Sequence, residues 1–126
     1  MQRLSFLAFI FLLTVSAENC NKKKDAAGTV YRGKLEIKAL CMNYTLRLVE
    51  GNIDPATIVG SWTDETTNKT YSNVFALENP CNFPATIKQG DEFYFVLDTA
   101  TAAPCAVCKA YYPTPGKRLA IKIVDK

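Results

Sequence analysis

The chain of 126 residues contains no histidine. That absence removes histidine-dependent triads, and with them the commonest general base and the commonest metal ligand. It also lacks a charge excess of one sign. The formal net charge is +3, and from residue 26 onward eleven Lys and Arg face ten Asp and Glu. A domain so close to neutral has no basic face for phosphate backbones, so nucleic acid is excluded as a partner. No glycine-rich phosphate loop is present; "VEGN" and "IKQGDE" read as turns. After residue 15 no apolar run is long enough to cross a bilayer. No cofactor is expected.

The one long apolar run lies at the start. "MQRLSFLAFIFLLTVSAENC" has a short polar opening with Arg3, an apolar stretch from Leu4 to Val15, then small residues. This is the layout of an export signal. A helix over that stretch would be roughly 18 Å long against a hydrocarbon core of about 30 Å, too short for a stable span. Two ends are open. "VSA" before Glu18 fits cleavage after residue 17. Cys20, followed by "NKKKDAAG", fits a lipid-modified cysteine after a signal of residues 1–19. Ala17, Glu18 and Asn19 depart from a lipobox, whereas cysteine parity favours the anchor: five cysteines leave one unpaired in an exported protein. Residues 18–28 then form a polar tether whose Lys22–Lys24 run is a solvated linker, and residues 29–126 form a single β domain. The signal, "CNKKKD" and the compact size that follows resemble the small exported lipoproteins of Gram-negative bacteria. The resemblance covers the first 25 or so residues and the overall size. It implies a place (periplasm, outer membrane or extracellular space) and no activity.

The body reads as short strands. "KLEIKALC" alternates with period two, setting Leu35, Ile37, Ala39 and Cys41 inward and Lys34, Glu36 and Lys38 outward. "NYTLRLVEGN" repeats the pattern with Tyr44, Leu46 and Leu48 inward and Thr45 and Arg47 outward. Asp54 before Pro55 marks a brief helical turn. "IVGSWTDETTNKTYSNVFAL" predicts a hairpin with its tip near Thr66 and Thr67, and a single helical turn fits Ala85 to Lys88. The run Phe93 to Leu97 predicts a central strand covered on both faces. "CKAYY" and "KRLAIKIV" around "PTPG" predict a last hairpin, with Leu119, Ile121 and Ile123 inward. The class is all-β: a small antiparallel OB-like barrel of five to seven strands, with an immunoglobulin-like sandwich of seven as the alternative.

The spacing that suggests chemistry is Cys105-Ala-Val-Cys108. A redox pair needs its first cysteine at a helix start, where backbone N–H groups favour thiolate, but "KAYYPTPG" reads as a strand ending in a turn. Zinc wants two close pairs of ligands, and Cys41 and Cys81 are singletons. Disulfides are therefore expected among Cys41, Cys81, Cys105 and Cys108. Three connectivities are open; loop-closure entropy favours joining Cys41 and Cys81 to the 105–108 segment, with a local Cys105–Cys108 bridge as the alternative. The carboxylate neighbours Asp64-Glu65 and Asp91-Glu92 point to opposite faces if they lie on a strand and are accounted for by solvation.

What remains is recognition by surface. Trp62, Tyr111 and Tyr112 are candidate binding residues for a protein or carbohydrate ligand. "NYT" at Asn43 and "NKT" at Asn68 match the glycosylation acceptor pattern; in a bacterium the match is a coincidence, and if the source is eukaryotic the exposed hairpin tip makes Asn68 the better acceptor. The leading expectation is a non-enzymatic exported binding or accessory module stapled by disulfides, with a possible lipid anchor to a membrane. The alternatives are a secreted protease inhibitor presenting "TATAAPCAVC" as a stapled loop, and a thiol-disulfide oxidoreductase using Cys105 and Cys108. The intact mass of the mature protein tests the compartment argument. It should lack the first 17 residues, or the first 19 with lipid on Cys20, and be lighter than the reduced chain by four hydrogens; a full-length, fully reduced mass would contradict export.

Overall fold

The computed structural model describes residues 28–100 and 104–126. The signal, Cys20 and the tether as far as residue 27 lie outside the described residues. Seven strands follow in order: β1 (Tyr31–Lys38), β2 (Tyr44–Glu50), β3 (Val59–Asp64), β4 (Lys69–Leu77), β5 (Glu92–Leu97), β6 (Arg118–Leu119) and β7 (Ile121–Val124). Three one-turn helices of the tight 3-10 kind, Leu40–Met42, Pro55–Thr57 and Pro80–Asn82, are the only helical elements among the described residues. None is long and apolar enough to cross a membrane.

The fold is all-β, as the alternating pattern predicts. All seven strands join one sheet in the order β3-β4-β2-β1-β5-β7, and β6, off this path, pairs in parallel with β4. A sandwich would divide the strands between two sheets. Pairing along the path is antiparallel. β1 shows why alternation is a good guide to a half-buried strand: Tyr31, Gly33, Leu35 and Ile37 are buried, and the residues between them are half-buried.

Ring contacts run through the core as a continuous file. Tyr31 meets Phe95 at 5.4 Å between centroids, Phe95 meets Phe75 and Phe93 at 5.9 Å each, Phe93 meets Phe83 at 5.5 Å, and Phe83 meets Tyr44 at 5.7 Å. Such tilted and edge-on pairs add to the area each ring buries. The file dictates glycine twice. A β-carbon on Gly33 would stand 3.0 Å from the rings of Phe93 and Phe95. One on Gly51, at φ +118°, would stand 2.5 Å from Tyr31.

Several expectations are corrected. The first strand ends at Lys38, so Cys41 lies in the Leu40–Met42 turn and not on a strand. Thr45, expected outward, is fully buried. A register shift between Leu35 and Ile37 pairs Ile37 with Thr45 next to the Leu35–Leu46 pair, and Ala76, itself buried, lies on the other side of Thr45. The helical turn expected at residues 85–88 is a single hydrogen-bonded turn, the Ile87 N–H donating to the Pro84 carbonyl at 3.2 Å, and the one-turn helix of this stretch stands at Pro80–Asn82, where Pro80 supplies the fixed φ of a first turn. On β5, Phe93 and Phe95 are buried but Tyr94 and Val96 are only half-buried, so one of its faces is incompletely covered. The last hairpin is absent: residues 104–115 have no regular structure, and Pro113 and Pro115 remove two of the N–H donors a strand would need. The inward set Leu119, Ile121 and Ile123 does pack on the core.

The end of the chain pairs with β5 and is held from its other side by one side chain. Asn79, 4% exposed, donates from Nδ2 to the Ile121 carbonyl at 3.0 Å and accepts from the Ile121 N–H at 3.2 Å. It acts as a substitute strand partner beyond the last residue of β4. Asn79→Ala strips both groups of their partner and should lower unfolding free energy by about 2–6 kcal/mol, at roughly 1–3 kcal/mol per buried unpaired group. Urea unfolding measures it; a loss within about 0.5 kcal/mol, as for an ordinary surface change, would show that Ile121 does not depend on Asn79.

Candidate functional site

Cys105 and Cys108 are not bonded to each other. Cys41 pairs with Cys108 across 67 positions with Cα atoms 5.0 Å apart, and Cys81 pairs with Cys105 across 24 positions at 5.8 Å. One irregular segment is thus tied at two points, to the β1–β2 turn and to the turn after β4. Taken singly, loop-closure entropy assigns such bridges about 4.4 and about 3.5 kcal/mol. All four sulfurs are taken up in these two bridges, so Cys105 and Cys108 do not form a local pair. No cluster of three or more His, Cys, Asp or Glu side chains is placed to hold a metal ion among the described residues.

The Leu40–Met42 turn is strained. Cys41 and Met42 both have positive φ, 56° and 58°, a left-handed conformation that costs non-glycine residues on the order of 1–3 kcal/mol each. The bridge holds the first of them. Asn43 holds the turn from the other side: its Nδ2 donates to the Leu40 carbonyl at 2.9 Å and to the Ala110 carbonyl of the tied segment at 3.0 Å.

This geometry pushes apolar side chains outward. The large apolar residues that stand exposed among the described residues are Val30, Leu40, Met42, Val107 and Tyr111. Three of these, Leu40 at 57%, Met42 at 39% and Val107 at 46% exposure, flank the Cys41–Cys108 bridge. They border a shallow groove of about 500 Å³, which Lys38, Tyr44 and Ala106 also line. Tyr111, 79% exposed, follows the carbonyl that Asn43 holds. The lysine of the rim does not break the patch, since Lys38 Nζ donates to the Ala85 and Ile87 carbonyls at 3.0 and 2.7 Å. A cluster of exposed apolar side chains along a groove is a usual mark of a contact surface.

Of the three aromatic residues singled out in the sequence, Tyr111 is open to solvent. Trp62 is half-buried and packs on Tyr71 across the β3–β4 hairpin, ring centroids 6.1 Å apart. Tyr112 is half-buried, and its hydroxyl donates to Asp64 Oδ2 at 2.7 Å. Asp64 is fully buried, which corrects the solvated reading of the Asp64-Glu65 pair. Burial pushes its carboxyl up, but hydrogen bonds from Tyr112, the Thr66 N–H and the hydroxyls of Thr67 and Thr66 outweigh that and hold it below the usual carboxylate range. The Tyr112 hydroxyl is raised by the same bond, then by burial and the Asp64 charge. The other pair is accounted for locally: Asp91 accepts from the Lys88 N–H at 2.9 Å, and Glu92 lies 3.7 Å from Arg32.

Leu40, Met42 and Val107 were not singled out in the sequence. A signal existed for Leu40: the alternation that sets Leu35, Ile37 and Ala39 on one face puts Leu40 on the polar face beside Lys38. Nothing comparable marks Asp64, whose burial depends on Tyr112, 48 positions away.

The Asp64–Tyr112 bond fastens the tied segment to the hairpin and generates a pH test. A carboxyl lowered on folding stabilises above its unfolded value of about 3.8 and loses that contribution as pH falls through the folded value. A phenol raised on folding stabilises below its unfolded value of about 10 and loses that contribution as pH rises through the folded value. Tyr112→Phe should therefore be less stable than the parent at pH 5–8, with the gap shrinking in acid below pH 4 and in alkali above pH 10. Denaturant melts across pH check this; a gap independent of pH would show that the bond carries no charge-linked energy.

No family model matches the chain, and neither a curated protein nor a solved structure matches it.

Proposed function

We propose that the chain is an exported, non-enzymatic binding module that grips a partner protein through the ridge of Leu40, Met42 and Val107. The observation that carries this reading is the gathering of exposed aliphatic side chains around one disulfide, on a turn strained enough to need it. Two disulfides suit an oxidising compartment. The body is read as a small OB-like barrel. Its support is that β6 pairs with β4 while β7 pairs with β5, with only Ala120 between them, so the last strand segment spans from β5 back to β4. A protein partner is favoured over a carbohydrate because the ridge offers aliphatic carbon, whereas sugars stack on flat aromatic faces; among the described residues only Tyr111 stands freely exposed as such a face.

A second reading, a secreted protease inhibitor, draws on the same segment. Residues 104–110 have no regular structure, Ala106 and Val107 are exposed, and a bridge stands on each side of them. That is how a peptide would be held in a cleft without collapsing when touched.

One set of variants separates the readings. A photo-crosslinking residue at Val107 should capture a single protein species from the fluid into which the chain is exported. Leu40→Ser with Met42→Ser should abolish capture while leaving both bridges and the melting curve nearly intact; a crosslinker at exposed Lys122 should capture nothing. Inhibition of a protease panel that disappears when residues 104–108 are replaced would support the inhibitor. Capture indifferent to Leu40 and Met42 would overturn the ridge.

A further inference from the structure

Two stretches of the chain carry the Asn-x-Thr pattern, and the fold treats them in opposite ways. Asn43-Tyr44-Thr45 is closed. Both hydrogens of the Asn43 amide are committed, one to the Leu40 carbonyl at 2.9 Å and one to the Ala110 carbonyl at 3.0 Å. Thr45 is fully buried. Asn68-Lys69-Thr70 is exposed: Lys69 and Thr70 begin β4 and the Thr70 hydroxyl shares a hydrogen bond of 2.8 Å with the Thr63 hydroxyl, but that bond lies at the surface and the Asn68 amide is not committed. Asn68 is the last residue of the hairpin tip, its left-handed φ of 59° is held by its own N–H bonding to the Asp64 carbonyl at 2.7 Å, and all three residues are exposed.

We infer that Asn68 is a site of N-linked glycosylation and that Asn43 is not. This holds where the chain folds in a secretory compartment that contains an oligosaccharyltransferase, a compartment that also forms disulfides. The donor is an oligosaccharide linked to a lipid diphosphate. Asn68 Nδ2 forms a bond to the anomeric carbon of the first sugar, the bond from that carbon to the diphosphate oxygen breaks, the lipid diphosphate leaves with the electron pair, and one amide proton passes to a base on the transferase. Nothing is oxidised or reduced.

Selectivity follows from what each amide does after transfer. A modified asparagine keeps a single side-chain N–H. At Asn68 the fold asks nothing of the amide, and a bulky polar group at an exposed tip extends into water. At Asn43 one of the two carbonyls would lose the side-chain donor, the Leu40 carbonyl keeping only the Asn43 backbone N–H, and the sugar would have to occupy the space between the Leu40–Met42 turn and the tied segment. That is where Cys41 must reach Cys108. Chains modified there would fail to form the bridge.

The inference does not rest on the ridge. Its test is expression of the full chain in a eukaryotic secretory host, with enzymatic deglycosylation in heavy-oxygen water of the exported and cell-retained fractions. Deglycosylation converts a modified asparagine to labelled aspartate, which peptide mass mapping locates. The exported protein should carry label at position 68 and unlabelled asparagine at 43, and Asn68→Gln should be exported without glycan. Absence of label at 68 in both fractions, or label at 43 in exported, fully bridged protein, overturns the inference.

Discussion

The bridge between Cys41 and Cys108 is the constraint on which the surface of this protein depends. It joins a turn that is unfavourable by itself, with two consecutive left-handed residues, to a segment that has no ladder of its own. Neither partner would keep its shape alone. The loop-closure contribution of about 4.4 kcal/mol is of the same order as the strain it offsets, on the order of 1–3 kcal/mol for each left-handed residue. Two lesser ties act in the same sense: Asn43 to the Ala110 carbonyl, and Tyr112 to the buried carboxylate of Asp64.

The sheet supplies the anchor points. The segment from Pro104 to Pro115 is fastened to the β1–β2 turn, to the turn after β4 and to the β3–β4 hairpin. These three places are held in fixed relation by the file of rings from Tyr31 to Tyr44 and by Asn79, which fixes the final strand. Packing that resists deformation transmits that rigidity to the surface. For the binding proposed above, a preorganised apolar surface would carry less ordering cost than a loose loop.

Features with a local cause were legible in the sequence. Alternation in residues 34–38 marked β1, the polar tip at 65–68 marked the hairpin, and Asp54 before Pro55 marked a turn in which Asp54 accepts from the Ala56 N–H at 2.9 Å. The entropy argument pointed Cys41 and Cys81 toward the 105–108 segment but did not choose which took which. Features with a distant cause were not legible. Thr45 does face away from Tyr44 and Leu46, but that face is covered there, with buried Ile37 and Ala76 on either side of it, and Asp64 looked solvated but is bonded to Tyr112. "CKAYY" has strand composition, yet two bridges and two prolines hold it off the sheet. The exposure of Leu40, Met42 and Val107 belongs to the same group, because it follows from a bridge between residues 67 positions apart.

The pairing of sulfurs is the most direct test of this account. A non-reducing digest that cuts between Ala106 and Val107, read by mass spectrometry, should yield Cys41 linked to Cys108 and Cys81 linked to Cys105 as separate pairs. Cys105 found linked to Cys108, or either of them free, would release the segment from the β1–β2 turn and contradict the ridge built upon it.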